Sequence, residues 1–237
     1  MGNSLAHRFK GVRRTKLYDL FAAAPLIAWN IFVVSRVLPS FAAQIELTKL
    51  FIQTDYSVLP TFLVLNIVSK VCTLAFITVL TVMLLVRHVP QRYAQGLYSR
   101  FVAVVGTYIS VSIVLLPPQE ISTTLYTISL LSLIGGTAFA VIAVLALARS
   151  ISIMPEARQL VTRGPYALVR HPLYVGEMVA TFGLALQYLM PWALLLFGVH
   201  CLFQFQRMKY EERVLLQAFP HYGNYMARTA RLVPRVY

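Results

Sequence analysis

Long apolar blocks, separated by short polar and basic segments, constrain this chain more than any other feature of its sequence. The hydrocarbon core of a bilayer is about 30 Å thick, and a helix that crosses it needs about 20 apolar residues. Only 12% of the residues are charged, about half the share of an ordinary soluble domain. The sequence therefore predicts an all-α, polytopic transmembrane helical bundle. The predicted helices cover about Leu17–Leu38, Val58–Val86, Phe101–Leu116 and Thr124–Ala148, and a further apolar block covers Leu173–Phe205.

Prolines mark the expected ends of these helices, because Pro lacks an N–H group and disfavours the helical conformation of the residue before it. Pro39 is expected to end the first helix, with residues 40–57 forming a mixed loop near the membrane interface. The last apolar block is interrupted at Met190-Pro191 and is shorter than the roughly 40 residues that two complete spans need. We expect it to form a tight hairpin of shortened or tilted helices, which gives five to six spans.

The basic residues lie between the apolar blocks, and this position decides how the net charge of +13 is interpreted. In a soluble protein such a charge would suggest nucleic-acid binding. Here most of the 21 Lys and Arg residues fall on one side of the membrane if both termini are cytoplasmic, which is the positive-inside pattern. We expect a multi-pass protein of a bacterial inner membrane, in contact with membrane lipids and without a nucleic-acid partner. The pattern predicts no particular oligomeric state.

Polar and conformationally special residues concentrate in one stretch, Gln159–Tyr174. Gly164-Pro165 indicates a turn, and His171-Pro172 indicates a helix start, since Pro is favoured at the first helical position. Arg, His and Tyr side chains therefore lie on a structured loop at the mouth of a membrane helix, where a polar or anionic ligand could be held. We divide the chain into N-terminal transmembrane helices (1–150) and a motif region (151–237).

Arg207 and Glu211 follow the last apolar block and are four residues apart, so they share one helix face. An ordinary surface ion pair, worth about a few tenths of a kcal/mol, is one interpretation; a site near the membrane surface is the other. Lys70 and Glu177 lie within or near apolar helices, and each has a structural and a functional interpretation. His200 is interpreted as a residue that forms an interhelical hydrogen bond. The sequence has no metal-ligand spacing, so no metal site is predicted.

Two motifs, in this order, resemble the isoprenylcysteine carboxyl methyltransferase family, whose relatives include the phospholipid N-methyltransferases. The first is Leu160-Val161-Thr162-x-Gly164-Pro165-Tyr166-x-x-Val169-Arg170-His171-Pro172-x-Tyr174-x-Gly176, and the second is Arg207-x-x-x-Glu211-Glu212-x-x-Leu215. The ending, with Phe219-Pro220-x-Tyr222-x-x-Tyr225 and Arg231-Leu232-Val233-Pro234, is similar to the tail of the family. Many relatives have Phe-Gly where this chain has Phe219-Pro220. The resemblance covers about residues 155–236.

The resemblance implies an integral membrane methyltransferase that binds S-adenosylmethionine in a cytoplasmic pocket formed by the C-terminal part. Arg207 and Glu211 are the implied catalytic residues, with Arg207 beside a lipophilic, lipid or prenylated acceptor. The helix N-terminus near Pro172 would suit the carboxylate of the cofactor, and aromatic faces would suit its sulfonium. The implied cofactor-binding residues are Gln159, Leu160, Val161, Tyr166, His171, Pro172, Leu173, Tyr174, Glu211 and Glu212.

The acceptor stays open between a prenylcysteine carboxylate, a phospholipid amine, a phenolic lipid and a small thiol. O-methyl transfer is the first expectation, and N- and S-methyl transfer are alternatives. A carboxylate is already ionised, whereas an amine or phenol must lose a proton, for which Glu211 or His171 is the nearest candidate. A membrane sterol or isoprenoid reductase, which has a similar Arg-His-x-x-Tyr-x-Gly pattern, is the second interpretation. A non-enzymatic membrane assembly protein of the same fold is the third.

Overall fold

The fold is described here from a computed structural model, over residues 16–54, 61–94, 96–188 and 190–234. Residues 1–15 and the predicted start of the second helix (58–60) lie outside these ranges. The described chain is mainly helical, with one antiparallel ribbon in which β1 (Arg92–Tyr93) pairs with β2 (Glu156–Ala157). The α-helices are α1 (Lys16–Thr54), α2 (Thr61–Val86), α3 (Leu97–Tyr108), α4 (Val111–Val114), α5 (Thr123–Leu147), α6 (Pro165–Leu168), α7 (Pro172–Ala185), α8 (Trp192–Ala218) and α9 (Tyr222–Arg228).

Four helical segments are long and apolar enough to cross a membrane, and the prediction of an all-α membrane bundle is confirmed. The described residues do not supply the five to six spans that were expected, because neither helix of the hairpin is both long and apolar enough. The first helix, α7, has 14 residues and is therefore about 21 Å long at 1.5 Å per residue. The second helix, α8, is polar and charged in its second half. The predicted break at Met190-Pro191 is confirmed and separates α7 from α8. The four segments are Lys16–Thr54, Thr61–Val86, Leu97–Val114 and Thr123–Ser150.

The first helix differs from its prediction. α1 continues through Pro39 to Thr54 as one helix of 39 residues, so the expected loop over 40–57 is wrong where the structure describes it. Neighbouring helices make proline tolerable inside membrane helices, and Pro39 alone therefore does not end α1. Lys70 of α2 binds next to this proline, where its Nζ donates to the carbonyl oxygen (3.0 Å) and the hydroxyl (2.7 Å) of Ser40. Lys70 thus has a structural role between α1 and α2.

Helices α5 and α7 pack backbone against backbone, and glycines allow this approach. A Cβ atom at Gly136 would lie 2.3 Å from the nitrogen of Ala180, and one at Gly176 would lie 2.7 Å from the nitrogen of Ala140. Small residues at helix interfaces are typical of membrane bundles, since they permit close van der Waals packing. The contact fixes α7, and with it the side chains that follow Pro172, against the fourth membrane helix.

A buried ionic cluster ties the start of α1 to the segments that follow α2 and α5. The carboxylate of Asp19 accepts hydrogen bonds from Arg87 Nε (2.9 Å) and Arg158 Nη2 (2.7 Å), and Arg158 also binds Glu156 Oε2 (2.7 Å). Buried charges are tolerated when opposite charges and hydrogen bonds compensate them, and this cluster supplies both. It brings the ends of α1, α2 and α5 together at one end of the bundle, which we call the basic end.

Candidate functional site

The stretch Gln159–Tyr174 folds as its turn and helix signals predict. Gly164 has a φ of 63°, in the left-handed region that glycine adopts at little cost. Pro165 then begins α6, and Pro172 begins α7 with His171 directly before it. The predicted turn and helix start are confirmed, and the polar side chains of the loop lie at the entrance of α7.

The C-terminal tail is bound along this loop. The backbone N–H of Arg170 donates to the carbonyl oxygen of Ala230 (2.8 Å), and that of His171 donates to the carbonyl oxygen of Arg231 (3.1 Å). Both contacts are backbone to backbone, so they depend little on which side chains the tail carries. The two motifs and the similar tail therefore meet in one place at the basic end.

A cavity lies between this loop, the end of α5 and the second half of α8, and we call it the polar cavity. Its wall includes Arg158, whose buried Nε has no hydrogen-bond partner, and the tail residues Tyr222 and Tyr225. Pro172 and Glu212 are not among the described residues of this wall. The predicted cofactor residues that do line it are Gln159, Leu160, Val161, Tyr166, His171, Leu173, Tyr174 and Glu211.

Glu212 lies behind the wall and holds three cationic or basic side chains in place. Its carboxylate accepts hydrogen bonds from Arg170 Nε (2.9 Å) and Arg231 Nη2 (2.6 Å), and His171 Nε2 lies 3.1 Å from Oε1. Only 3% of the residue is exposed. Burial alone would raise the pKa of this carboxyl, but the hydrogen bonds from His171 and Arg231 and the nearby positive charges outweigh it and lower the pKa to about 2. A role in orienting His171 fits this position better than direct contact with a ligand.

Glu211, one residue earlier, points to the other side and faces the polar cavity. Tyr174 donates to its Oε1 (2.5 Å), His171 Nδ1 lies 3.8 Å from Oε2, and Arg207 Nε lies 3.7 Å from Oε1. The Arg207 guanidinium also lies over the Tyr174 ring, 5.1 Å from its centroid. The neighbouring carboxylates Glu211 and Glu212 therefore have different environments, one open to a cavity and one enclosed by cations.

Arg207 is 6% exposed, so the interpretation as an ordinary surface ion pair is wrong. Its Nη1 donates to Thr107 Oγ1 (3.2 Å), and its Nη2 donates to the carbonyl oxygen of Ile153 (2.8 Å). The buried Nε has no hydrogen-bond partner, although Glu211 is close enough for electrostatic attraction. A buried guanidinium with one free N–H group is suited to hold a polar group of a ligand.

Arg207 lines a second cavity of about 310 Å³, which is walled mostly by apolar side chains of the membrane helices and which we call the membrane cavity. Glu177, His200 and Gln204 also line it, and Gln204 Nε2 donates to Glu177 Oε2 (2.8 Å). His200 is 2% exposed and Gln204 is 1% exposed, yet His200 Nδ1 and Gln204 Oε1 have no hydrogen-bond partner. The two cavities share the wall residues Ile151, Ser152 and Leu173.

Helix α8 connects the two cavities by a polar stripe, which we define as His200, Gln204, Arg207 and Glu211. Spacings of four, three and four residues keep all of them on one helix face. The sequence analysis predicted Arg207 and Glu211 at one end of this stripe as site residues. It missed Gln204, although Gln204 follows His200 at a helical spacing of four residues. It did not pair the stripe with Glu177, because that contact depends on how α7 packs against α8.

Part of this chain is similar to known proteins. The family model described as "Phospholipid methyltransferase" matches residues 123–222. The chain is 37% identical over 78 residues to the cobalt-zinc-cadmium resistance protein CzcN of Cupriavidus metallidurans, a match that covers 32% of this chain and 36% of that protein. It is 34% identical over 82 residues to the nickel-cobalt-cadmium resistance protein NccN of Alcaligenes xylosoxydans xylosoxydans, covering 34% of this chain and 38% of that protein. The chain thus matches little more than a third of the length of these relatives.

The family match covers nearly all of the polar cavity's wall and the side of the membrane cavity that α5, α7 and α8 form, whereas the residues of α1, α2 and α3 that line the membrane cavity lie outside it. It begins at the start of α5 and ends at Tyr222, so it includes both sequence motifs. The chain thus combines four helices that are apolar enough to cross a membrane with a region that is similar to phospholipid methyltransferases. The phospholipid methyltransferase match is a coarser grouping than the isoprenylcysteine carboxyl methyltransferase resemblance, and it is consistent with it.

Proposed function

We propose that this protein is an S-adenosylmethionine-dependent methyltransferase that resembles the isoprenylcysteine carboxyl methyltransferases and acts on a lipophilic acceptor. The observation that carries the proposal is the contact between Arg207 and Glu211. Glu211 faces the polar cavity and Arg207 faces the membrane cavity, so a water-soluble cofactor and a membrane-dissolved acceptor can approach one another there. Alignment of two reactants is a large contribution to the rate of a transfer reaction.

The polar cavity offers groups that would suit this cofactor. Glu211 supplies a carboxylate for a positive charge, and the rings of Tyr166 and Tyr174 supply aromatic faces for a cation. Arg158 has a buried N–H without an acceptor, which suits a carboxylate. When bound, S-adenosylmethionine supplies a methyl group activated by a positively charged sulfur. Gln159, Leu160, Val161, His171 and Leu173 are the other residues of the wall that we expect to hold it.

The chain's own residues prepare the transfer in two ways. The hydrogen bonds of Glu212 fix the His171 ring, and Tyr174 fixes the Glu211 carboxylate. The Arg207 guanidinium, held by Thr107 and Ile153, keeps its Nε free to orient the acceptor. Because both groups are held before any ligand arrives, little reorganisation is needed during the reaction.

The orientation in the membrane is part of the proposal. The buried cluster around Asp19 and the polar cavity lie at the same end of the bundle, and the positive-inside pattern favours the cytoplasmic side for that end. Both termini would then be cytoplasmic, and the protein would lie in a bacterial inner membrane. Membrane lipids and a lipophilic small molecule, lipid or prenylated acceptor are the proposed partners.

A cofactor-binding measurement tests this proposal against the reductase and the assembly protein. Purified protein in lipid nanodiscs should bind S-adenosylhomocysteine and should not bind NADPH. His171→Ala should weaken this binding at least tenfold, about 1.4 kcal/mol, because His171 lines the cavity and is held by Glu212. His221→Ala, at an exposed position outside the cavity wall, is the matched control and should bind as the wild type does. Binding of NADPH alone would favour the reductase, and binding of neither would favour the assembly protein.

A further inference from the structure

We propose that the membrane cavity holds the acceptor, that this acceptor is a phenol with an apolar body, and that Glu177 takes the proton of its hydroxyl group. The inference rests on the proposed function, since it needs a methyl donor in the polar cavity. It goes further by assigning a substrate class and a catalytic residue. Neither follows from the methyltransferase motifs, which do not include Glu177.

Two side chains of this cavity have buried polar atoms without partners. Arg207 Nε is a donor without an acceptor, and Gln204 Oε1 is an acceptor without a donor. Leaving such atoms unpaired costs about 1–3 kcal/mol each. A hydroxyl group both accepts and donates a hydrogen bond, so it suits both kinds of atom. Alkylamines and carboxylic acids are mostly ionised near neutral pH, and in those forms an ammonium group only donates and a carboxylate only accepts.

Few groups in this cavity are charged. In the described part of its wall, Glu177 is the only carboxylate and Arg207 is the only guanidinium. An uncharged head group adds no further charge to this pair. An alkylammonium or a carboxylate would bring an additional charge into a cavity between membrane helices, which is costly. The anion would also lie close to Glu177 and to Glu211, which Arg207 already has to compensate.

The rest of the wall has room for an apolar body. Half of the residues that line the volume of about 310 Å³ are Leu, Ile, Val, Phe or Ala. An apolar body would gain about 25 cal/mol for each Å2 removed from water. The polar stripe then receives the head group at the end of the cavity nearest to the polar cavity, where Arg207 and Glu211 lie.

The proposed step conserves atoms and charge. The hydroxyl oxygen forms a bond to the methyl carbon, and the bond between that carbon and sulfur breaks, leaving its electron pair on sulfur. The hydroxyl proton passes to the carboxylate of Glu177, which Gln204 holds by a hydrogen bond of 2.8 Å. The products are a methyl ether, S-adenosylhomocysteine and a protonated Glu177, which returns its proton to solvent before the next turnover. A positioned base of this kind contributes about 100-fold to 10,000-fold in rate.

Three acceptor probes test the substrate class. The purified protein in nanodiscs is incubated with labelled S-adenosylmethionine and with 4-butylphenol, hexylamine or hexanoate. We expect a labelled methyl ether from 4-butylphenol and slower or undetectable labelling of the other two. Preferred labelling of hexylamine or hexanoate, or labelling of none while S-adenosylhomocysteine still binds, would overturn the inference and leave the proposed function standing. Failure to bind S-adenosylhomocysteine would contradict the proposed function itself.

Glu177→Gln tests the catalytic residue, because it keeps the size and polarity of the side chain and removes the base. We expect unchanged affinity for S-adenosylhomocysteine and a loss of about 100-fold in the rate with 4-butylphenol. The loss should be much smaller for Glu177→Asp, which keeps a carboxylate on a shorter side chain. Glu120→Gln, at an exposed acid outside the cavity wall, is the control and should leave the rate unchanged. Equal losses in Glu177→Gln and Glu177→Asp, or no loss in Glu177→Gln, would contradict the assignment.

Discussion

Two buried polar regions of this molecule lie close together and differ in how completely their hydrogen bonds are satisfied. Around Glu212, both carboxylate oxygens have partners, and those partners come from the loop Gln159–Tyr174 and from the C-terminal tail. Along the polar stripe of α8, three side chains that are more than nine-tenths buried keep polar atoms without partners. A satisfied network makes a structure rigid, whereas unsatisfied buried groups need a special explanation. We interpret the first region as the support of the site and the second as the place where a ligand binds.

The substitution Glu212→Ala should break the supporting region and have the largest effect. It leaves Arg170 and Arg231 without their buried counter-charge, and such a loss typically costs about 3–5 kcal/mol. Thermal unfolding in detergent measures the effect, and the variant should also lose S-adenosylhomocysteine binding because His171 is no longer oriented. Glu211→Ala, at the neighbouring residue, is the matched control. This variant should bind the cofactor more weakly but should unfold near the wild-type temperature. Similar unfolding temperatures for the two variants would remove the proposed difference between these carboxylates.

The contact between α5 and α7 supports both regions, and Gly136→Ala should weaken it. The new Cβ would lie 2.3 Å from the Ala180 nitrogen, so the helices must separate. Overpacking of this kind costs about 1–3 kcal/mol. Gly135→Ala is the control on the same helix, because no atom lies within 4 Å of its new Cβ. Equal stability of the two variants would show that the close backbone contact is absent in the membrane.

Low pH should weaken the region around Glu212, with a smaller effect on stability than the substitutions above. The pKa of Glu212 is lowered to about 2 from an ordinary value of 4.5. A carboxyl with a lowered folded-state pKa stabilises the fold fully above its unfolded-state value, and this contribution is lost as the pH falls towards the folded value. The unfolding temperature of the wild type should therefore drop between about pH 4.5 and pH 2 more steeply than that of Glu212→Gln. Parallel curves for the two proteins would contradict the assignment of this pKa to Glu212.

Local signals in the sequence predicted the elements that depend on neighbouring residues. The start of α7 at Pro172, the turn at Gly164 and the break at Met190-Pro191 follow from the backbone chemistry of Pro and Gly, and they are confirmed. Pro39 shows the limit of such signals, because its surroundings in the bundle allow α1 to continue. A proline therefore indicates a helix end reliably only where no neighbouring helix can support the chain.

Features that depend on contacts between residues far apart in the chain could not be predicted from local sequence signals. Asp19 is 68 residues from Arg87 and 139 from Arg158, and nothing near Asp19 in the sequence indicates that these charges meet. Eight of the eighteen residues that line the polar cavity are among the predicted cofactor residues, because the family resemblance carries residues that lie far apart in the chain. The membrane cavity was not predicted, since Glu177 and Gln204 meet only through the packing of α7 against α8.

The central claim is that the cofactor and the acceptor bind in different cavities and meet at Arg207 and Glu211. The most direct test is Arg207→Ala in nanodiscs, with S-adenosylhomocysteine binding and methyl transfer measured on the same preparation. We predict cofactor affinity within about twofold of the wild type, less than 1 kcal/mol, and a loss of at least about 100-fold in transfer. Parallel losses of binding and transfer would place Arg207 in the cofactor site, and full transfer activity would remove it from the reaction; either result would contradict the account.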